Sequence, residues 1–258
     1  MTSTPEAELE KLAHQVSVDV EELAFLSAVP ADDLRALRGQ ISEALFQADR
    51  HHFVKVAALS KSIPSALAAK ITEFALPPMI AARTSELLDP AKAVDMVGRL
   101  SERYLANVSA VMDPARSPHI IEQIPPERIA MVARELAARQ EWVVIGGFVS
   151  VVSIDGLRSS VAAFTGEQLL RIGFVLDDTA RLGEISAMLT DIQVDELLAA
   201  AAESELWREL DELVANIDEA QAARLVERLA GSPDEVRAGL TGAPLSSATT
   251  TKLGLSGS

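Results

Sequence analysis

The acidic side chains between residues 190 and 197 have a spacing that could bind a divalent cation. Asp191, Asp195 and Glu196 occupy positions i, i+4 and i+5, so an α-helix would place the first two on one face. Carboxylate oxygens suit both Mg²⁺ and Ca²⁺. Like charges at this spacing destabilise a helix unless a cation or an arginine lies between them. Two interpretations stay open here: a loose divalent-cation site, or a hydrated acidic face.

Four aromatic side chains are the candidates for binding an apolar ligand. Trp142 and Phe148 lie in the uncharged run from 142 to 154, and Phe164 and Phe174 follow it. Apolar pockets between helices are common ligand sites. The alternative is that these rings only fill the core of the protein.

No pattern of nucleophiles or phosphate-binding residues indicates an enzyme. The chain has no cysteine, which excludes disulfides, thiolate zinc sites and a cysteine nucleophile. Gly146-Gly147 lacks the Lys-Ser/Thr of a phosphate loop, and no Gly-x-Ser-x-Gly sequence occurs. Adjacent His51 and His52 point to different sides of a helix. We therefore expect a non-enzymatic protein without a cofactor of its own.

Charge limits the partners of the chain. The formal net charge is −15, and sixteen acidic residues against four arginines lie between Asp177 and Glu235. A field of this sign repels nucleic acid and anionic lipid surfaces and attracts divalent cations or a basic partner. The simplest alternative is a hydrated, solubilising helical surface.

The N-terminus and the hydropathy pattern predict a cytoplasmic protein. Residues 1–6 are polar and acidic, unlike a signal peptide. The longest uncharged run in the middle of the chain, residues 142–154, has thirteen residues, whereas a membrane-spanning helix needs roughly 20. We expect no transmembrane segment, and the absence of cysteine fits a reducing compartment.

Capping signals and apolar spacing predict an all-α protein. An N-cap oxygen accepts a hydrogen bond from the first turn of a helix, and proline is favoured directly after the cap. Helix starts are predicted at Thr4-Pro5, Asp89-Pro90, Asp113-Pro114 and Ser232-Pro233, and capping boxes at Thr165/Gln168, Thr190/Gln193 and Ser232/Glu235. Residues 142–152 are rich in β-branched side chains, yet a lone strand would lack hydrogen-bond partners, so we predict a buried helix there.

The predicted starts recur at a regular interval. Asp89, Ser101, Asp113 and Pro125 are twelve residues apart, and a similar interval separates Ser153, Thr165, Asp177 and Thr190. Helices this short are marginal alone and need neighbours. The spacing therefore predicts an α-solenoid-like stack of short antiparallel helices over residues 77–240. Residues 1–76 are expected to form an N-terminal cap or small bundle, and the Ser/Thr/Gly-rich residues 241–258 a disordered tail.

Three of these helix starts resemble a known family. Leu88-Asp89-Pro90, Met112-Asp113-Pro114 and Ile124-Pro125-Pro126-Glu127-Arg128 are similar to helix starts in the intracellular N-terminal domain of MgtE-type magnesium transporters. The similarity covers roughly residues 85–230. It implies a right-handed superhelix and a regulatory role. The CBS and membrane domains of those transporters have no counterpart in these residues, so neither transport nor any magnesium ligand is carried over, and Mg²⁺ enters only through the resemblance.

Two function classes follow from the sequence. The first is a non-enzymatic interaction or regulatory module, because helical arrays present extended surfaces to partner helices or peptides. The second is a carrier or sensor of an apolar small molecule or lipid, or a protein of a granule surface. The expected partner is thus a protein or an apolar small molecule, and an oligomer is compatible with either class.

Overall fold

The computed structural model describes residues 4–60, 62–176 and 178–255, and in these residues every regular element is helical. The predicted all-α class is confirmed. Two 3₁₀ helices, Val20–Leu26 and Pro114–Arg116, accompany seventeen α-helices among the described residues. The α-helices are α1 (Pro5–Val16), α2 (Ala31–Ser60), α3 (Ser65–Ala75), α4 (Pro78–Ser85), α5 (Pro90–Val97), α6 (Glu102–Ser109), α7 (Pro118–Ile121), α8 (Pro126–Ala138), α9 (Trp142–Val149), α10 (Ile154–Val161), α11 (Gly166–Phe174), α12 (Thr179–Met188), α13 (Asp191–Glu203), α14 (Trp207–Asn216), α15 (Glu219–Ala230), α16 (Asp234–Thr241) and α17 (Ser247–Lys252).

The twelve-residue spacing of helix starts is confirmed at all four positions of its first series. Asp89 and Ser101 cap α5 and α6 through their side chains, Asp113 caps the second 3₁₀ helix, and Pro125 precedes α8. In each case the residue has extended backbone torsions and the next one begins the helix. Local sequence therefore determines where these helices begin.

The second series is confirmed at its two capping boxes. The hydroxyls of Thr165 and Thr190 accept hydrogen bonds from the backbone N–H of the third residue of α11 and α13. The side chain of the glutamine at that position accepts a hydrogen bond from the backbone N–H of the capping threonine. The cap of α12 is Asp178, and the predicted cap Asp177 lies outside the described residues.

The capping box predicted at Ser232 is wrong. Pro233 is the N-cap of α16, without a side-chain bond. The Ser232 hydroxyl instead donates to the carbonyl of Arg228, 3.0 Å away in the last turn of α15. The preceding helix ends so close to Ser232 that its free carbonyls compete successfully for this hydroxyl.

The chain divides into two compact units, and the first contains residues 4–160. In this unit, contacts mostly join each helix to the next but one: α2, α4, α6 and α8 follow one another in one row, and α3, α5 and α7 in another. Their shared core includes Ala69, Ala82, Leu100, Tyr104 and Leu105. The antiparallel stacking and the right-handed superhelix stay predictions.

The second unit contains the described residues from 161 to 255. Here α11 packs on α13 and α14, and α12 packs on α14. The N-terminus of α11 approaches the backbone of α13 so closely that a Cβ on Gly166 would lie 2.3 Å from the backbone N of Leu197. Only glycine fits at this crossing.

The predicted domain limit at 76/77 stays a prediction, whereas part of the predicted disordered tail is helical. Along the sequence, the first compact unit ends at Ser160 and the second continues from Val161. Residues 247–252 form α17, which packs on α14, and Leu253 is buried. The ammonium group of Lys252 donates to the carbonyls of Val214 and Ile217 at 2.8 and 2.9 Å. Because residues 241–258 have low hydrophobicity, these few contacts were not predictable from the sequence.

Over the described ranges, no helix combines the length and the apolar character needed to cross a bilayer.

Candidate functional site

The carboxylates predicted as cation ligands have arginine partners in the structure. Nη2 of Arg224 lies 2.5 Å from Oδ1 of Asp191, and Nε of Arg228 lies 2.8 Å from Oδ1 of Asp195. Both arginines are on α15, next to α13. The hydrogen bond from Arg224 lowers the pKa of Asp191. Glu196 is exposed on α13, the helix that contains Asp191 and Asp195.

The arginines therefore supply the positive charge that the acidic spacing requires. Across the residues that the structure describes, no three His, Cys, Asp or Glu side chains form a group that could hold a metal ion.

The four aromatic candidates are divided between the two units. Trp142 and Phe148 are half-buried on α9 in residues 4–160. Phe164 and Phe174 are buried in the second unit, where the guanidinium carbon of Arg208 lies 4.8 Å from the centre of the Phe174 ring. This geometry is a cation–π contact. The two buried phenylalanines thus serve the core of the second unit.

A pocket of about 210 Å³ lies among α12, α13, α14 and α15. Leu189, Val194, Leu213 and Leu225 supply its apolar wall, and Arg224 its charged edge. None of the four predicted aromatic residues lines it. Its volume is below the roughly 300–1,000 Å³ of typical small-molecule sites.

Glu8 is a fully buried carboxylate in the first unit. Its oxygens contact three cations: Lys11 Nζ and Arg35 Nη2, both at 3.1 Å, and Arg38 Nε at 3.4 Å. A buried charge is tolerated only when paired in this way. Because these partners come from both α1 and α2, the cluster joins the two helices and has a structural role.

A second buried ionic group joins α2, α4 and the second 3₁₀ helix. The carboxylate of Glu86 accepts hydrogen bonds from Arg116 at 2.8 Å and from Arg83 at 3.2 Å, and Arg116 also donates to Glu43 at 2.6 Å. Burial raises the pKa of Glu86, although both arginines oppose this shift. The hydrogen bond from Arg116 lowers the pKa of the exposed Glu43. The group fixes three segments that are far apart in sequence.

An exposed apolar surface of the first unit is on α3. This helix buries Ala68 and Ala69, while Leu67, Ile71 and Phe74 on another side are exposed, and the Phe74 side chain is 94% exposed. At 100° per residue the three exposed positions lie within about 60° of one another. We call these three residues the α3 outer face. A helix that is apolar on both sides normally has partners on both sides.

The sequence that leads into α3 is basic. Residues 50–72 contain four Lys or Arg and no Asp or Glu. Lys70 is exposed beside Phe74, and Lys55 is exposed on α2. Glu73 on α3 directs a carboxylate oxygen to the backbone N–H of Ser101, 3.4 Å away.

Sequence reasoning did not identify this surface. The signal was the i, i+4, i+7 spacing of Leu67, Ile71 and Phe74, together with the lack of acids between Arg50 and Thr72. Apolar spacing alone indicates a core face, and only the observed exposure shows that this face is not covered.

Comparison with known proteins gives no relative. No family model, no curated protein and no solved structure matches the chain. The resemblance to the MgtE-type N-terminal domain accordingly stays a prediction.

Proposed function

We propose that the protein is a non-enzymatic interaction module that docks a partner through the α3 outer face. The observation that supports this proposal is the exposure of Leu67, Ile71 and Phe74 on one side of a helix whose other side is already buried. Apolar side chains grouped on a surface and edged by polar residues typically mark interaction sites. Large apolar anchors also contribute much of the binding energy of interfaces.

The test compares the native assembly of the full chain with that of a surface variant. In lysate of the native host, the wild-type protein should elute from gel filtration at a mass above that of the 27.5 kDa chain. Replacing Leu67, Ile71 and Phe74 together by Gln should return it to the mass of the free chain.

Ile192→Gln is the matched control, because Ile192 is also exposed but lies on α13 of the other unit. Far-UV circular dichroism checks that each variant is folded. Elution of the wild type as a free chain, or an equal effect of Ile192→Gln, would contradict the proposal.

A carrier of a small apolar molecule is the second candidate function. The pocket among α12, α13, α14 and α15 favours it, because leucine and valine side chains supply much of its wall. Its size restricts the ligand to a small molecule rather than a lipid. Native mass spectrometry of the freshly purified protein should then show an excess mass that denaturation removes, and the bare polypeptide mass would exclude a co-purifying ligand.

A further inference from the structure

Two segments of the chain contain the same series of helices. Residues 101–152 include α6, the second 3₁₀ helix with α7, α8 and α9, and the described residues of 165–217 include α11, α12, α13 and α14. Helices α6 and α11 begin at residues 102 and 166, which are 64 positions apart. Helices α8 and α13 begin at 126 and 191, and α9 and α14 at 142 and 207, both 65 positions apart. Each segment lies within one compact unit.

The turn between the third and fourth elements has the same backbone conformation in both segments. Gln140 and Glu205 have left-handed φ angles of 60° and 54°. The following residue has a φ of −82° in both segments, with a ψ of 57° and 53°, and its N–H donates to the carbonyl five positions earlier at 3.0 and 3.1 Å. Trp142 and Trp207, the two tryptophans of the chain, then begin the fourth helix. Non-glycine residues seldom adopt a left-handed φ, so this agreement is specific.

A hydrogen bond to the preceding helix also occurs at corresponding positions. Arg128 is the third residue of α8, and its Nη2 donates to the carbonyl of Val97 at 2.6 Å. Gln193 is the third residue of α13, and its Nε2 donates to the carbonyl of Val161 at 2.8 Å. The donors are 65 positions apart and the acceptors 64. Both acceptors are the last residues of their helices, where backbone carbonyls lack a partner within the helix.

Packing within the two segments agrees as well. Helix α6 packs on α8 as α11 packs on α13, α8 contacts α9 as α13 contacts α14, and the second 3₁₀ helix contacts α9 as α12 contacts α14. The second segment adds an extended contact between α11 and α14. Corresponding positions are buried in both segments, for example Ile145 with Leu210 and Val149 with Val214. The correspondence therefore extends from the backbone to the core.

We infer that residues 101–152 and 165–217 are two copies of one helical repeat with a period of 64 to 65 residues. This repeat is longer than the twelve-residue spacing of helix starts and contains several helices. It is independent of the proposed docking function, because it involves neither α3 nor a partner. Trp142 and Trp207 are then one position of the repeat, which favours the core interpretation of Trp142 over the ligand interpretation.

The two copies exchange a large and a small side chain in their third helix. Ala133 and Leu136 of α8 correspond to Leu198 and Ala201 of α13, and all four side chains are buried. Positions three apart are neighbours on one face of a helix. The two side chains together thus have the same volume in both copies, and cores tolerate substitutions that conserve volume best.

A double-mutant cycle in the full chain tests the repeat. Ala133→Leu and Leu136→Ala are made singly and together, so that α8 acquires the arrangement of α13. If the two cores correspond, the double variant should lose less than about half of the unfolding free energy that the two single variants lose in total. Urea denaturation followed by circular dichroism measures the three losses. Losses that simply add would overturn the inference.

The matched control combines Leu136→Ala with Ala137→Leu. Ala137 directly follows Leu136 and is buried, and the corresponding Ala202 is also an alanine, so the second copy has no leucine at this position. The losses of this pair should add. Compensation as large as that of the Ala133 and Leu136 pair would show that the helix repacks without regard to the repeat, and the inference would be wrong.

Glycine at the left-handed position supplies a readout that leaves the core unchanged. Gln140→Gly and Glu205→Gly should each raise the thermal midpoint, because glycine adopts this φ without steric cost. Ala138→Gly and Glu203→Gly, at the last residues of α8 and α13, should each lower it. A rise at one left-handed position and a fall at the other would show that the two turns are not equivalent. That result would overturn the inference even where a core variant fails to fold.

Discussion

At the scale of single residues, buried carboxylates hold segments together that are distant in sequence. Glu86 is the clearest case, because its two arginine partners come from α4 and from the second 3₁₀ helix. Removing one partner of a buried pair leaves a charge without compensation, which costs more than the pair contributes. Exposed pairs of the same chemistry contribute little, because water screens them.

The first prediction compares two arginines of the first unit. Arg116→Ala should lower the free energy of unfolding by about 1–3 kcal/mol, since it leaves Glu86 buried with only Arg83 nearby. Arg158→Ala removes an exposed i, i+3 partner of Asp155 and should cost less than about 0.5 kcal/mol. Urea denaturation of both variants measures the difference, and equal losses would show that the Glu86 group adds no stability.

The second prediction concerns the pH dependence of Glu86. Its pKa is raised in the folded protein above the ordinary value of 4.5, so the folded state holds this proton at a higher pH than the unfolded state does. Stability attributable to Glu86 is therefore greatest below 4.5 and falls as the pH rises from there through the folded-state pKa. The unfolding free energy of the wild type minus that of Glu86→Gln should fall across this window. A difference that rises with pH would mean that the arginines outweigh burial.

At the scale of elements, the closest approach in the second unit is that of α11 to α13. It depends on the absence of a side chain at Gly166, because a Cβ there would overlap the backbone of Glu196 and Leu197. Backbone cannot rotate away as a side chain can, so the two helices would have to separate.

The third prediction follows from this contact. Gly166→Ala should destabilise the second unit by about 2–3 kcal/mol because of overpacking. Gly183→Ala is the matched control on α12, where a Cβ meets nothing within 4 Å, and it should stabilise by about 0.5–1 kcal/mol through helix propensity. Thermal unfolding measures the stability change of both variants. An unchanged stability in Gly166→Ala would mean that the helices separate at no cost.

Element boundaries were the part of the fold that local sequence predicts best. The starts after Asp89, Ser101 and Pro125 are confirmed because capping depends on a few consecutive residues. The capping box predicted at Ser232 was wrong because the Ser232 hydroxyl has a competing acceptor in α15. The pairing of Asp191 with Arg224 was not predictable, since it joins residues 33 apart in sequence.

At the scale of the whole molecule, charge is distributed unevenly between the two units. Residues 4–160 contain 21 acidic and 16 basic residues, a net charge of −5, whereas the sequence from 161 onward contains 17 and 7, a net charge of −10. Like charges repel one another in the compact state, and salt screens this repulsion.

The fourth prediction is therefore that sodium chloride stabilises the second unit more than the first. The two tryptophans, Trp142 and Trp207, lie in different units. In Trp142→Phe and Trp207→Phe variants, the remaining fluorescence reports urea unfolding of one unit at a time. Raising the salt from low to physiological and higher concentrations should shift the transition reported by Trp207 further toward high urea. The opposite order would show that screened ion pairs matter more than net repulsion.

The contact of Lys252 with the end of α14 has a consequence for biosynthesis. The carbonyls of Val214 and Ile217 receive these hydrogen bonds from a residue that the ribosome adds 38 and 35 positions later. Until then, this end of α14 lacks the cover of α17. A nascent chain stalled before residue 246 would present an incompletely covered helix end, which chaperones and proteases can distinguish from the mature unit.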